Sequence, residues 1–158
     1  MQPTILYRHR RENLKKCSLR GLEKLPNMNF YTYPIDPLPD LSGYILLGMD
    51  APALSIKDKN HPLFLIDGTW RYAEKMFNQF HPPYPFIIRS IPNEFVTAYP
   101  RRQPDCPDPD KGLSSIEALY LAYVITGRCT DGLLDNYLWK DSFLEKNSLA
   151  LKKYLFSN

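Results

Sequence analysis

Three short stretches of this sequence put reactive residue types where chemistry could use them. In "FLIDGTWRYAEKMF", residues 64–77, an apolar run ends on Asp67, turns through Gly68 and Thr69, and enters a helical pattern at Trp70. A carboxylate emerging at the end of a buried strand can accept a proton or hold a positive charge; Asp67 or Thr69 could equally do no more than cap the following helix. Trp70, with Ala73, Met76, Phe77 and Phe80, also fits an apolar helix face. In "KGLSS", residues 111–115, a glycine is followed by Ser114 and Ser115 at a helix start, where hydroxyls and backbone N–H groups bind carboxylates and phosphates. A plain capped helix after a loop fits those letters just as well. In "LKKCSLRGLEKL", residues 14–25, Ser18 reads as the N-cap of a short helix, with Lys15 and Lys16 as a phosphate clamp.

The elements that must position these residues follow from periodicity. Phe30–Tyr33, Tyr44–Leu47, Leu63–Ile66, Phe86–Arg89 and Phe95–Ala98 read as strands, and two of them are nearly continuous apolar runs that suit a sheet covered on both faces. The segment "LSSIEALYLAYVITG" is a helix: Ser114 and Glu117 form a capping box, Gly127 marks its stop, and Ile116, Leu119, Tyr120, Tyr123 and Val124 recur at helical spacing. Residues 131–156 read as one broken helix or two consecutive ones. The alternation of strands and helices gives an α/β class with a mainly parallel sheet flanked by helices, in a single domain spanning residues 1–158, with a basic N-terminal segment over 1–26. In open sheets of this kind ligands bind beyond the carboxyl ends of the strands, the position expected for Asp67. Two proline clusters, "YPIDPLPDLSG" and "YPRRQPDCPDPDKG", read as loops within the domain.

Composition removes several alternatives. No HExxH, GxSxG, GxGxxG or GxxxxGK[ST] pattern occurs, which argues against zinc proteases, α/β-hydrolases, dinucleotide-binding Rossmann enzymes and P-loop NTPases. Cys17, Cys106 and Cys129 are scattered and never in CxxC spacing, so no disulfide framework and no metal centre is expected. The apolar runs are too short for a membrane span and the N-terminus is charged, giving the expectation of a cytoplasmic protein with no membrane association. The net charge of +3 is mild, but Arg8, Arg10, Arg11, Lys15, Lys16 and Arg20 crowd residues 8–20 against the single acid Glu12. That distribution reads either as a solvated face or as a phosphate-binding one.

Taken together, "KKCS", "YILLGMDAPALSIKD", "LIDGTW", "RSIPNEFVTAYP", "KGLSSIEALYLAYVITGR" and "YLWKDSFLEKNSLALKKY" carry a resemblance nearly from end to end. The chain resembles the superfamily of aminocarboxypropyltransferases built on the DTW domain, of which "DGTW" is a form, and within it the branch that modifies small-subunit ribosomal RNA. The resemblance implies a fold similar to the knotted, SPOUT-like RNA methyltransferases, with the cofactor-binding, threaded part over about residues 86–158. It also implies S-adenosylmethionine as the source of a 3-amino-3-carboxypropyl group, transferred to a uridine-type, or pseudouridine-derived, base. Carried across by motif, Ser18 would meet the amino-acid end of that cofactor, and Leu113, Ser114 and Ser115 its carboxylate or nucleoside. Trp70 would pack on its carboxypropyl chain, and Leu47 and Ile91 would line the pocket.

Asp67 is then either the proton acceptor or a partner for the cofactor's positive charge. The implied RNA contacts are Arg8, Arg10, Arg11, Lys15, Lys16, Arg20, Arg101 and Arg102, with Tyr31, Tyr33 and Tyr99 as stacking surfaces, in a protein expected to act as a monomer. The sequence departs from the ribosomal branch in having Asp-Gly-Thr-Trp for Asp-Cys-Ser-Trp, in replacing a His-Asp-Pro ahead of the Lys-Lys-Cys motif by Arg11 to Leu14, and in lengthening the loop before Gly112. These departures keep three other readings open: a tRNA-uridine aminocarboxypropyltransferase, a knotted-fold methyltransferase, and a non-catalytic RNA-binding factor of ribosome assembly.

Overall fold

A computed structural model of the chain describes residues 2–14, 17–100 and 112–155. Lys15, Lys16, Arg101, Arg102 and most of the second proline-rich loop therefore lie outside the described residues. Five strands, β1 (Thr4–His9), β2 (Met28–Tyr33), β3 (Ile45–Ala53), β4 (Leu63–Asp67) and β5 (Ile87–Ser90), form one sheet in the order β2-β1-β4-β3-β5. Every pairing is parallel. Around the sheet run α1 (Trp70–Phe77), α2 (Ser115–Ile125), α3 (Lys140–Lys146) and α4 (Ser148–Leu155). Among the described residues no helix is long and apolar enough to cross a membrane.

Alternation along the strands sorts the core into two layers, because successive side chains point to opposite faces. Ile5, Tyr7, Leu46 and Phe64 pack with Met76 and Phe86 on one face, together with the partly buried Phe77 and Phe80. Leu6, Ile45, Leu63 and Leu65 pack on the other against α2, α3 and α4 through Ile116, Leu119, Tyr123, Phe143 and Leu151. By the same alternation Arg8 and Asp67, which follow Leu6 and Leu65 by two residues, project toward α2.

The order of the strands fixes where a ligand can enter. From β1 the chain moves to β2 on one side, and from β4 it crosses β3 to reach β5 on the other, so the crevice between the carboxyl ends of β1 and β4 is the topological switch point. Asp67 ends β4, as expected, and its register partner on β1 is Arg8.

Two local expectations need correction. The N-terminal segment is not merely basic: Thr4–His9 is the strand between β2 and β4, and all six of its residues are buried. Phe95–Ala98 is not a strand, because side chains, not a neighbouring strand, satisfy its backbone. Asn147 accepts from the Val96 N–H at 2.8 Å and donates to the Val96 carbonyl at 2.9 Å, while the Ala98 N–H donates to Glu117 at 2.8 Å. Over its described part, residues 131–155, the expected helical pattern resolves into turns followed by α3 and α4, with the buried Asn147 at the break between them.

Candidate active site

Asp67 is 4% exposed and its two carboxylate oxygens gather three donors from three parts of the chain. The Ser115 hydroxyl, in the first turn of α2, donates to Oδ1 at 2.6 Å. The Cys17 thiol, in the loop after β1, donates to Oδ2 at 3.2 Å. The Arg8 guanidinium lies 3.4 Å from the same oxygen through Nε. The capping reading of this stretch is thereby removed: Thr69 takes the N-cap position of α1 without a side-chain capping bond, and Asp67 points across the crevice instead.

Arg8 belongs to this cluster and is buried, unlike the exposed Arg10, Arg11 and Arg20 of the same basic run. It is 8% exposed, contacts Glu23 at 3.2 Å through Nη2, and stacks over the Phe30 ring at 4.6 Å. Burial works against its charge, but Cys17, Asp67 and Glu23 outweigh that and raise its pKa further. Burial, reinforced by Asp67, pushes the Cys17 thiol up to about 12, so it stays protonated and acts as a hydrogen-bond donor. Glu12 completes the group. Its carboxylate lies within 4.8 Å of both the Cys17 sulfur and an Asp67 oxygen. Burial, reinforced by Asp67 and opposed by Arg8, raises the Glu12 carboxyl to about 6. Glu12, Cys17 and Asp67 are residue types that hold cations, but a neutral thiol and a guanidinium on the shared carboxylate make a poor cation cage.

Ser18 does not cap a helix. The short 3₁₀ turn Leu22–Lys24 starts after Gly21, and the Ser18 hydroxyl instead accepts the Ile116 N–H of α2 at 3.2 Å. The loop after β1 and helix α2 are thus joined twice, at Ser18–Ile116 and, through Asp67, at Cys17–Ser115. Ser114 and Ser115 divide their work. Ser114 is the N-cap of α2, forming the expected capping box with Glu117, while Ser115 turns to Asp67. The helix start offers fewer free donors than the sequence suggests: the Ser114, Ile116 and Glu117 N–H groups are bonded to Glu117, Ser18 and Ser114 respectively.

The remaining expected pocket residues are arranged around the same end of the sheet. Leu47 on β3, Ile91 just after β5 and Leu113 just before α2 are partly buried and pack on the apolar cluster of the α2 face. Trp70 is half-buried at the first position of α1, the turn after Asp67. On the opposite face of the crevice, His9 stacks on Tyr72 with centroids 3.9 Å apart and planes 6° from parallel, and Tyr33 lies against it at 5.4 Å. Arg10, Arg11, Arg20, Arg71 and Lys75 are exposed. Burial and then the charges of Arg10, Arg11 and Lys75 lower the His9 pKa. Tyr99 is instead part of an internal aromatic group, stacked on Tyr137 at 6.4 Å and edge-on to Trp139 at 5.1 Å.

Sequence reasoning missed the Arg8–Asp67 pair and the contribution of Glu12. The one local signal was for Arg8, since "TILYRH" is also an apolar run that ends on polar residues; nothing near Glu12 in sequence marks it.

No protein-family model matches the chain, and no curated protein matches it. Among solved structures it is similar to the SAM-dependent rRNA:acp-transferase Tsr3 from Vulcanisaeta distributa, with a TM-score of 0.73 and 25% identity over 100% of this chain and 85% of that one.

Proposed function

We propose that this chain transfers the 3-amino-3-carboxypropyl group of S-adenosylmethionine to a uridine-type base of small-subunit ribosomal RNA. The observation that carries the reading is the likeness of the whole chain to an rRNA aminocarboxypropyl transferase, in a fold whose switch-point crevice holds a charged cluster at the site expected from "DGTW". The donor set suits S-adenosylmethionine. Asp67 supplies negative charge for a sulfonium or an ammonium, while Leu47, Ile91, Leu113 and the half-buried Trp70 offer the apolar surface a nucleoside and a methylene chain need. When bound, that cofactor supplies an electrophilic carbon attached to a positively charged sulfur.

The protein's part is orientation and charge. Trp70 and the half-buried aliphatic side chains set which of the three carbons on sulfur faces the RNA, and this alignment selects carboxypropyl over methyl transfer. Ser18 and the Ser115 N–H meet the amino-acid end. The ribose and base lie along the partly buried aliphatic residues of the α2 face, within a threaded C-terminal half. Arg10, Arg11 and Arg20, with Lys15, Lys16, Arg101 and Arg102 and the α1 cations Arg71 and Lys75, bind phosphates and fix register, while Tyr33 and the His9–Tyr72 stack offer a surface to an unpaired base.

The test is transfer to total RNA from S-adenosylmethionine labelled separately in the methyl and the carboxypropyl carbons. The reading predicts carboxypropyl label in small-subunit ribosomal RNA. Methyl label would make the protein a methyltransferase, carboxypropyl label in tRNA would move its target, and binding of RNA without cofactor would make it an assembly factor.

A further inference from the structure

We propose that Glu12 is the group that removes the proton from the attacking ring nitrogen, and that Asp67 positions the crevice without taking part in proton transfer. This rests on the aminocarboxypropyl-transfer reading above.

A general base needs a lone pair that can reach the substrate proton. Asp67 is poorly placed to offer one: Oδ1 accepts the Ser115 hydroxyl at 2.6 Å, Oδ2 accepts the Cys17 thiol and lies against Arg8, and the residue is only 4% exposed. Glu12 is the carboxylate beside it that is half-buried, not enclosed, and it accepts no hydrogen bond from the described residues. Its position is set by the turn that ends β1. The Glu12 N–H donates to the His9 carbonyl at 3.0 Å, the Arg11 N–H donates to His9 Nδ1 at 3.1 Å, and the His9 ring is clamped against Tyr72.

The charged and titratable groups that face Glu12 among the described residues are Asp67 from β4, Arg8 from β1 and Cys17 from the following loop. Their balance, with burial, leaves a carboxyl raised to about 6. Such a group is ionised at neutral pH yet more basic than an ordinary carboxylate, which favours proton abstraction.

The step balances. A bond forms between the ring nitrogen and the γ carbon, the bond from that carbon to sulfur breaks with its electron pair going to sulfur, and the N–H proton passes to a Glu12 oxygen. A sulfonium cation and a carboxylate anion become a neutral thioether and a neutral carboxyl. If Asp67 took the proton, the buried Arg8 guanidinium would lose one of its two carboxylate partners and keep only the more exposed Glu23, whereas Glu12 accepts no hydrogen bond from the described residues.

The experiment compares wild type, Glu12→Gln and Glu12→Asp in single turnovers on total RNA with carboxypropyl-labelled S-adenosylmethionine, across a range of pH. Calorimetric cofactor affinity and a carbon-13 titration of the Glu12 carboxyl in the free protein accompany it, with melting curves to verify folding. The expected result is a rate lowered by about 100-fold or more in Glu12→Gln, partial recovery in Glu12→Asp, and cofactor affinity within about threefold of wild type. The Glu12 resonance should titrate near the value of about 6 given by its surroundings.

A Glu12→Gln rate close to wild type overturns the proposal, as does a parallel loss of rate and affinity, which would make Glu12 a binding charge. A Glu12 titration at an ordinary carboxylate value overturns it too. Wild type that moves no carboxypropyl label overturns the functional reading, and this proposal with it.

Discussion

Two buried carboxylates meet the first turn of α2, and they are built for opposite purposes. Glu117, 0% exposed, accepts from four neutral donors: the Thr97 hydroxyl at 2.6 Å and the Ser114 N–H at 2.8 Å on one oxygen, the Ala98 N–H and the Tyr137 hydroxyl at 2.8 Å on the other. Burial and Glu117 itself push the Tyr137 phenol far up, so it remains a donor at every pH the fold survives. Asp67, one residue of helix away through Ser115, is instead surrounded by a guanidinium, a thiol and a second carboxylate. The Glu117 cluster fixes two loops to a helix and has every valence filled from inside. The Asp67 cluster stands at the switch point of the sheet and ends in Glu12, a carboxylate that is only half covered. A buried acid held only by uncharged donors has the make-up of scaffold; a buried acid beside a guanidinium and a second carboxylate at a crevice has that of a candidate site.

The contrast can be broken most severely at the scaffold. Glu117→Ala strands four buried donors at once and is expected to cost about 3–5 kcal/mol, enough to unfold much of the protein, as read by urea denaturation. Glu117→Gln keeps shape and acceptor capacity on one side only and should fall between. Asp67→Asn should destabilise less, by about 1–3 kcal/mol, because Arg8 retains Glu23 and the phenyl face of Phe30. Its larger effect is expected on calorimetric S-adenosylmethionine affinity, which Glu117→Gln should leave nearly unchanged if it folds.

The smallest effect has the opposite sign. The Glu12 carboxyl is raised from 4.5 to about 6 in the folded protein, so the fold binds its proton more tightly than the unfolded chain does. The resulting stabilisation is present below the unfolded value and is lost as pH rises through the folded one. At neutral pH the half-buried charge is then a net cost, on the order of 1 kcal/mol once solvent screening is allowed for. Glu12→Gln should therefore melt higher than wild type at about pH 7.5 and match it near pH 4. A gain in stability paired with a loss of rate is the signature of a residue kept for function.

Much of this arrangement was legible in the residues. Asp67 at a strand end, the Ser114–Glu117 capping box, the parallel α/β class and the helix at Trp70 all follow from local pattern, because each depends on neighbours in sequence. What was hidden depends on partners far along the chain. Arg8 looked like one cation of a basic run, and only the register of β1 beside β4 turns it onto Asp67. "FVTA" has the composition of a strand, yet Asn147, 51 residues away from Val96, supplies the two hydrogen bonds a strand would have provided. Ser18 resembles an N-cap in isolation, and its true acceptor role toward Ile116 requires α2 to be folded against the loop. Glu12 reads as a lone solvated acid until Asp67 and Cys17 are brought beside it.

The most direct test of the division between site and scaffold is to map backbone amide shifts as S-adenosylmethionine is added to the wild-type protein. Changes are expected at Leu47, Trp70, Ile91 and Leu113 to Ser115, and in the Glu12 to Ser18 loop, with little at Val96, Asn147 or Tyr137. Shifts centred on Val96, Asn147 and Tyr137 with a quiet crevice would contradict the account, as would a saturating titration that moves neither group.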